Sequence, residues 1–99
     1  MAYDVVFPSE RVERLFEKAL EKIPADYQTA IAEALRGLSL NPWPEGKRHK
    51  KLKGPVVVAQ FLAQHRLRIG PYRILYDVDT PRKKVIVLKL VKRDEHTYD

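Results

Sequence analysis

The chain begins with an apolar stretch, Tyr3 to Phe7, rich in β-branched and aromatic residues and closed by Pro8, which predicts a short strand. Ser9 stands where a helix cap belongs, and Glu10 and Glu13 are placed to favour the positive end of the helix dipole. Val12, Leu15, Phe16, Ala19, Leu20 and Ile23 follow at i, i+3, i+4, i+7, i+8 and i+11. That spacing predicts an amphipathic helix with Arg, Glu and Lys on its wet face. Pro24 ends it and marks the start of a second helix, in which Tyr27, Ile31, Ala34, Leu35 and Leu38 repeat the pattern. Gly37 predicts a C-terminal stop. Asn41-Pro42-Trp43-Pro44-Glu45-Gly46 reads as an irregular connection, its tryptophan expected to seal the edge of the core.

From Val56 the pattern turns to β. Phe61, Ala63, His65, Leu67 and Ile69 alternate with Leu62, Gln64, Arg66 and Arg68, the period of a strand with one polar face. Gly70-Pro71 predicts a two-residue type II′ hairpin turn, Tyr72 to Val78 the return strand, and Lys84 to Val91 the last strand after a turn at Asp79-Thr80-Pro81-Arg82-Lys83. The expected fold is α+β in the order β-α-α-β-β-β, a helical hairpin on a small, largely antiparallel sheet. Val12, Leu15, Phe16, Leu20, Ile31 and Leu35 are expected to face that sheet, with Phe61, Leu67, Ile74 and Leu88 as partners. His65, on the apolar side of its strand, is expected to be buried or half-buried.

Ninety-nine residues fit a single domain, here residues 1–99. With 44% hydrophobic and 32% charged residues, composition places the chain among globular proteins. No apolar run approaches the ~18 residues of a membrane helix. Because the first residues lack a basic, cleavable leader pattern, a cytoplasmic location and no membrane partner are expected. Zero cysteines exclude disulfides and thiol chemistry. The net charge of +6 is uneven: residues 1–33 carry −3 and residues 34–99 carry +9. Such a field attracts polyanions, nucleic acid first and acidic protein surfaces second. Its densest part is Lys47-Arg48-His49-Lys50-Lys51-Leu52-Lys53-Gly54, where Lys47, Arg48, Lys50, Lys51 and Lys53 are candidate RNA contacts. A merely solvated lysine-rich loop would read the same way.

His49, His65 and His96 show no metal-ligand spacing, the glycines stand singly, and no serine or cysteine nucleophile has a recognisable setting. No metal and no cofactor are therefore expected. What remains is a set of cations and one aromatic: Arg66, Arg68, Arg73, Lys92, Arg93 and Tyr98. Guanidinium groups grip phosphate oxygens bidentately and stabilise a pentacoordinate transition state. A tyrosine ring stacks on unpaired bases. An RNA substrate also carries its own nucleophile, the ribose 2′-OH. Solvated or ion-paired arginines remain the alternative.

The order of segments resembles the RelE/ParE superfamily of bacterial and archaeal toxins. The likeness is carried by Leu52-Lys53-Gly54, by Arg66-Leu67-Arg68-Ile69-Gly70-Pro71-Tyr72-Arg73-Ile74-Leu75-Tyr76-Asp77-Val78-Asp79, by Val85 to Leu90, and by the tail Lys92-Arg93-Asp94-Glu95-His96-Thr97-Tyr98. The resemblance implies a toxin whose RelE-like branch cuts mRNA in the ribosomal A site, by 2′-OH attack to leave a cyclic phosphate. Arg73 falls on the arginine implied to stabilise the transition state, and Arg93 on the one implied to hold phosphate or assist the leaving group. Tyr98 falls on the tyrosine implied to stack on a base. Gln64 and Arg66 stand where the archetype has two lysines, one of them implicated as the base, and neither is a useful proton acceptor. His96 is the implied substitute, with Glu95 second. The ParE branch shares the fold, lacks the nuclease residues and acts on DNA gyrase, so both activities stay open, as does a member that only binds its antitoxin. An acidic antitoxin partner is implied in every case, together with mRNA and the ribosome (rRNA) for the nuclease, and operator DNA only through the antitoxin complex.

Overall fold

The computed structural model describes residues 2–92. Its elements are β1 (Asp4–Val6), α1 (Glu10–Glu21), α2 (Ala25–Leu40), β2 (His49–Val58), β3 (Phe61–Ile69), β4 (Tyr72–Asp79) and β5 (Lys84–Lys92). Strands β2 to β5 form an antiparallel meander, and β1 adds in parallel to β5, giving the order β1-β5-β4-β3-β2. The expected α+β class holds, with one strand more than the sequence predicts.

Local chemistry accounts for the helices. Ser9 Oγ accepts from the Val12 amide at 3.2 Å, and Glu10 and Glu13 occupy the first turn of α1. Pro24 opens α2, its carbonyl accepting from the amides of Tyr27 and Gln28, both at 3.0 Å. Gly37 does not stop α2. The helix continues to Leu40 because Leu38 is fully buried, and burial outweighs the roughly 1 kcal/mol cost of an interior glycine. The backbone is tied to β1 at the same end: Tyr3 N–H donates to Ser39 O, and Ser39 Oγ donates to Tyr3 O, both at 2.7 Å.

Phe16, Ile31 and Leu38 from the helices meet Leu67, Tyr72, Ile74, Tyr76, Val85, Val87 and Leu90 from the strands in the main core, with Leu20 and Leu35 packed against it. Val12 is also buried. Leu15 is not: it is 56% exposed. At 100° per residue it lies about 70° from the mean direction of Val12, Phe16, Ala19 and Ile23, at the margin of the stripe. There it lines an open groove of about 500 Å³ with Val57 and Leu88. Phe61 is likewise 36% exposed, at the tip of the β2–β3 hairpin. Leu88 is buried in a second, strand-only cluster with Leu52, Ala63 and Leu75, because a bulge between Leu75 and Tyr76 shifts the β4–β5 register.

The extra strand arises because Val56 to Ile69 is a hairpin rather than one strand. Ala59 and Gln60, with φ of 47° and 76°, make its two-residue turn. Both central residues of a type I′ turn need positive φ, which Gly, Asn or Asp usually supply, so this turn carries no sequence signal. The basic run is correspondingly not a loop, since His49 to Lys51 pair with β3 before a bulge. Trp43 is 41% exposed and meets Tyr3 edge-on at 5.9 Å, which caps the core margin without being enclosed. Gly70 has the positive φ, +58°, that the predicted turn requires.

Ile31→Ala is expected to lower unfolding stability by about 2–5 kcal/mol, whereas Leu15→Ala should stay within about 0.5 kcal/mol, both read by urea titration. Gly70→Ala would bring its Cβ to 2.5 Å from Tyr27 Cε1 and hold alanine at positive φ. Its denaturation midpoint should fall, by at least the ~1–2 kcal/mol of the backbone effect.

Candidate nucleic-acid interface

Alternation on three adjacent strands assembles the site. Lys50 on β2 pairs directly with Arg66 on β3, and Arg68 on β3 pairs with Arg73 on β4. Residues 66, 68 and 73 therefore share one face with Lys50. Like charges directly opposite one another destabilise a sheet. Here two such pairs lie side by side, and two of the guanidinium-bearing residues are buried, Arg66 at 6% and Arg73 at 3% exposure.

Arg66 is anchored. Its Nη1 donates to the Arg48 carbonyl at 2.8 Å, and the same oxygen accepts the Arg68 amide at 2.8 Å. Gln64 donates through Nε2 to Asp77 Oδ1 at 3.3 Å.

The basic run divides between faces. Lys50 joins the arginines, while Lys51 pairs with His65 on the opposite side. Lys47, Arg48 and Lys53 are exposed around this edge of the sheet, and Lys92 is exposed at the end of β5, opposite Tyr72. Arg93, Glu95, His96 and Tyr98 lie outside the described residues. Among the described residues no group of three or more metal-binding side chains occurs, and no helix is long and apolar enough to cross a membrane.

Beneath the arginines, on the helix side, runs a row that the sequence did not announce. His49 Nε2 and His65 Nδ1 lie 3.1 Å apart in a hydrogen bond, the His65 and Tyr76 rings are near parallel with centroids 5.3 Å apart, and Tyr76 OH donates to Pro42 O at 2.7 Å. His65 is buried, as its place on the apolar side predicts, and His49 is half-buried. Desolvation, then the Arg66 charge, lowers the His49 pKa below 6.5. Desolvation also lowers that of His65, reinforced by His49 and Lys51 and opposed by Asp77. Burial pushes the Tyr76 hydroxyl up, so it stays a neutral donor. Only the pairing of β2 with β3 brings these histidines together, and that strand start reads in sequence as a charged loop.

Residues 9–97 match the family model described as ParE toxin of type II toxin-antitoxin system, parDE. Comparison with curated proteins finds no match. Among solved structures, the chain is similar to the archaeal RelE–RelB complex from Pyrococcus horikoshii OT3, at 28% identity and a TM-score of 0.73, over 97% of this chain and all of the other. It also resembles the toxin-antitoxin complex RelBE2 from Mycobacterium tuberculosis, with 24% identity, TM-score 0.63, and coverage of 94% of this chain and 100% of that one. A doubly substituted E. coli toxin RelE in the free state shares the fold at 22% identity and TM-score 0.57, over 93% of this chain and 84% of that one. With the family pattern running from the cap of α1 into the C-terminal segment, and the RelE fold around the arginine face, the chain belongs to the ParE toxin family of type II toxin–antitoxin systems, within the RelE/ParE superfamily.

Proposed function

We propose that this toxin acts on RNA, cleaving ribosome-bound mRNA by attack of a ribose 2′-OH on the adjacent phosphate. The observation that carries the reading is the two like-charge cross-strand pairs, Lys50 opposite Arg66 and Arg68 opposite Arg73, on one sheet face. A phosphate bound there would meet several positive groups at once. In this mechanism the new O2′–P bond forms as the P–O5′ bond breaks, leaving a cyclic phosphate. Arg73 stabilises the charge of the pentacoordinate state, and Arg66 and Arg68 hold non-bridging oxygens. The resemblance gives Arg93 the role of holding phosphate or assisting the O5′ leaving group, His96 that of accepting the 2′-OH proton, and Tyr98 that of stacking on a base; the proton taken up is returned to O5′. The partner is an acidic antitoxin, in keeping with the toxin–antitoxin complexes this fold resembles and with the +9 charge of residues 34–99.

A second reading, inhibition of DNA gyrase without catalysis, is favoured by the ParE family match and by the engagement of Gln64 with Asp77. One experiment separates the two. Purified protein is added to an in-vitro translation reaction with primer extension on the mRNA, and in parallel to a gyrase supercoiling assay. Codon-spaced cleavage supports the nuclease; intact mRNA with blocked supercoiling supports the gyrase reading.

For the nuclease, Arg73→Ala should lower the cleavage rate by about two to three decades while ribosome binding persists. Arg73→Lys should recover only part of this, because a point charge lacks the planar fork. Replacing Lys47, Arg48, Lys50, Lys51 and Lys53 together by alanine should weaken RNA binding and flatten its salt dependence, measured as log affinity against log salt. Parental cleavage by Arg73→Ala would remove the site; an unchanged salt slope would reduce the basic run to solvated surface.

A further inference from the structure

The two rows on opposite faces of the sheet meet at one backbone oxygen. Arg48 O accepts both the Arg66 guanidinium and the Arg68 amide, each at 2.8 Å. The next residue along β2 is His49, joined to His65, which itself immediately precedes Arg66. His49 is thus the clamp nearest the shared acceptor. We propose that the His49–His65 hydrogen bond is a positioning element for the arginine face, holding Arg48 O in place for Arg66 and Arg68, and that acid releases it. This rests on the reading of that face as the phosphate site.

The geometry explains the acid sensitivity. The ring centroids are 5.2 Å apart and the facing nitrogens 3.1 Å apart, with 26° between the ring planes, so the rings meet nearly end to end along an N–H···N line. Such a line needs one donor and one lone pair. One added proton can be carried on an outer nitrogen without breaking it. A second leaves two N–H groups facing each other, and the bond is lost. The charges acting on the pair are Lys51, beside His65 on the same face, and Arg66 and Asp77, across the sheet, so two cations oppose protonation and one carboxylate favours it. Tyr76, stacked on His65 and held neutral by burial, adds no charge.

The sign follows from the direction of the shifts. Both imidazoles lie below the ordinary 6.5, so the neutral pair and the stability it contributes are intact above that value. That contribution is lost as pH falls from 6.5 through the lowered folded-state values. β2 is an edge strand, hydrogen-bonded in the sheet to β3 alone, so its start can open without unfolding the core.

Hydrogen–deuterium exchange of the free chain, corrected for intrinsic rate, reads the clamp directly. Between pH 7.5 and 5.5 the Arg68 amide should lose protection, about tenfold for each pH unit over which the closed pair stays neutral while the open one is protonated, while core amides of β4 keep theirs. His49→Gln, a neutral side chain that retains donor and acceptor, should hold the protection at both pH values. His49→Phe, which keeps a ring but not the bond, should show the low value at both. Unchanged Arg68 protection in the parental chain overturns the proposal, as does a parental pH response in His49→Gln. Binding of a fluorescent single-stranded RNA supplies the functional arm. Extra imidazolium charge alone would tighten RNA binding in acid, whereas loss of the clamp weakens it, by about tenfold, in the parental chain and not in His49→Gln. Tighter binding in acid overturns the link between clamp and arginines. If RNA is not bound at either pH, it is the nucleic-acid reading that fails, and the exchange result alone decides the clamp.

Discussion

Lys50, Arg66, Arg68 and Arg73 repel one another, and the sheet holds them together because the residues alternating with them are locked in place on the other side. Leu67, Ile74 and Tyr76 are buried against the helices at 5% exposure or less, and they fix the register that sets the cations opposite each other. A one-residue slip on β3 would exchange Leu67 for Arg68 on the helix side and leave charge in the core. The apolar layer therefore specifies the electrostatics of the opposite face. Burial on the other side leaves the chain no alternative register in which these charges would be spread apart.

The same division organises the whole domain. The helical hairpin lies within a region of net negative charge, and the strands carry nearly all the positive excess. Field and shape coincide, so a polyanion is drawn to the sheet rather than to the helices. The interior beneath β2 to β4 departs from a purely apolar core, since it carries the two imidazoles and a tyrosine hydroxyl bonded to a backbone carbonyl. The facing imidazole nitrogens bond each other and Pro42 O satisfies the hydroxyl, which helps the core to tolerate them.

Much of this was legible in the sequence, because periodicity reports burial. The two helical stripes, the alternation along Phe61 to Ile69 and the Gly70-Pro71 turn all rest on local geometry, and they led to the right class. What escaped depends on partners distant in the chain. The hairpin at Ala59 and Gln60 lacks turn residues, so β2 and β3 read as one strand. Gly37 looked like a stop because local propensity ignores Leu38 and its burial. Leu15 fits the helical period but sits at the margin of its stripe. Arg66, Arg68 and Arg73 could be named from alternation and resemblance, yet their convergence with Lys50, and the meeting of His49 with His65, needed the β2–β3 register. Arg93, His96 and Tyr98 lie outside the described residues and rest on the resemblance alone.

The parallel pairing of β1 with β5, which sets Asp4 beside Lys84, has a consequence for the order in which the molecule is assembled. The helices are synthesised first, but the surface they cover is made last. Closing β1 onto β5 spans most of the chain, whereas the β3–β4–β5 meander closes through short turns and forms with little entropic cost. A nascent chain carrying both helices thus has nowhere to bury Phe16, Ile31 and Leu38 until β5 has emerged. The arginine face on β2, β3 and β4 likewise lacks the finished apolar layer behind it until the chain is nearly complete.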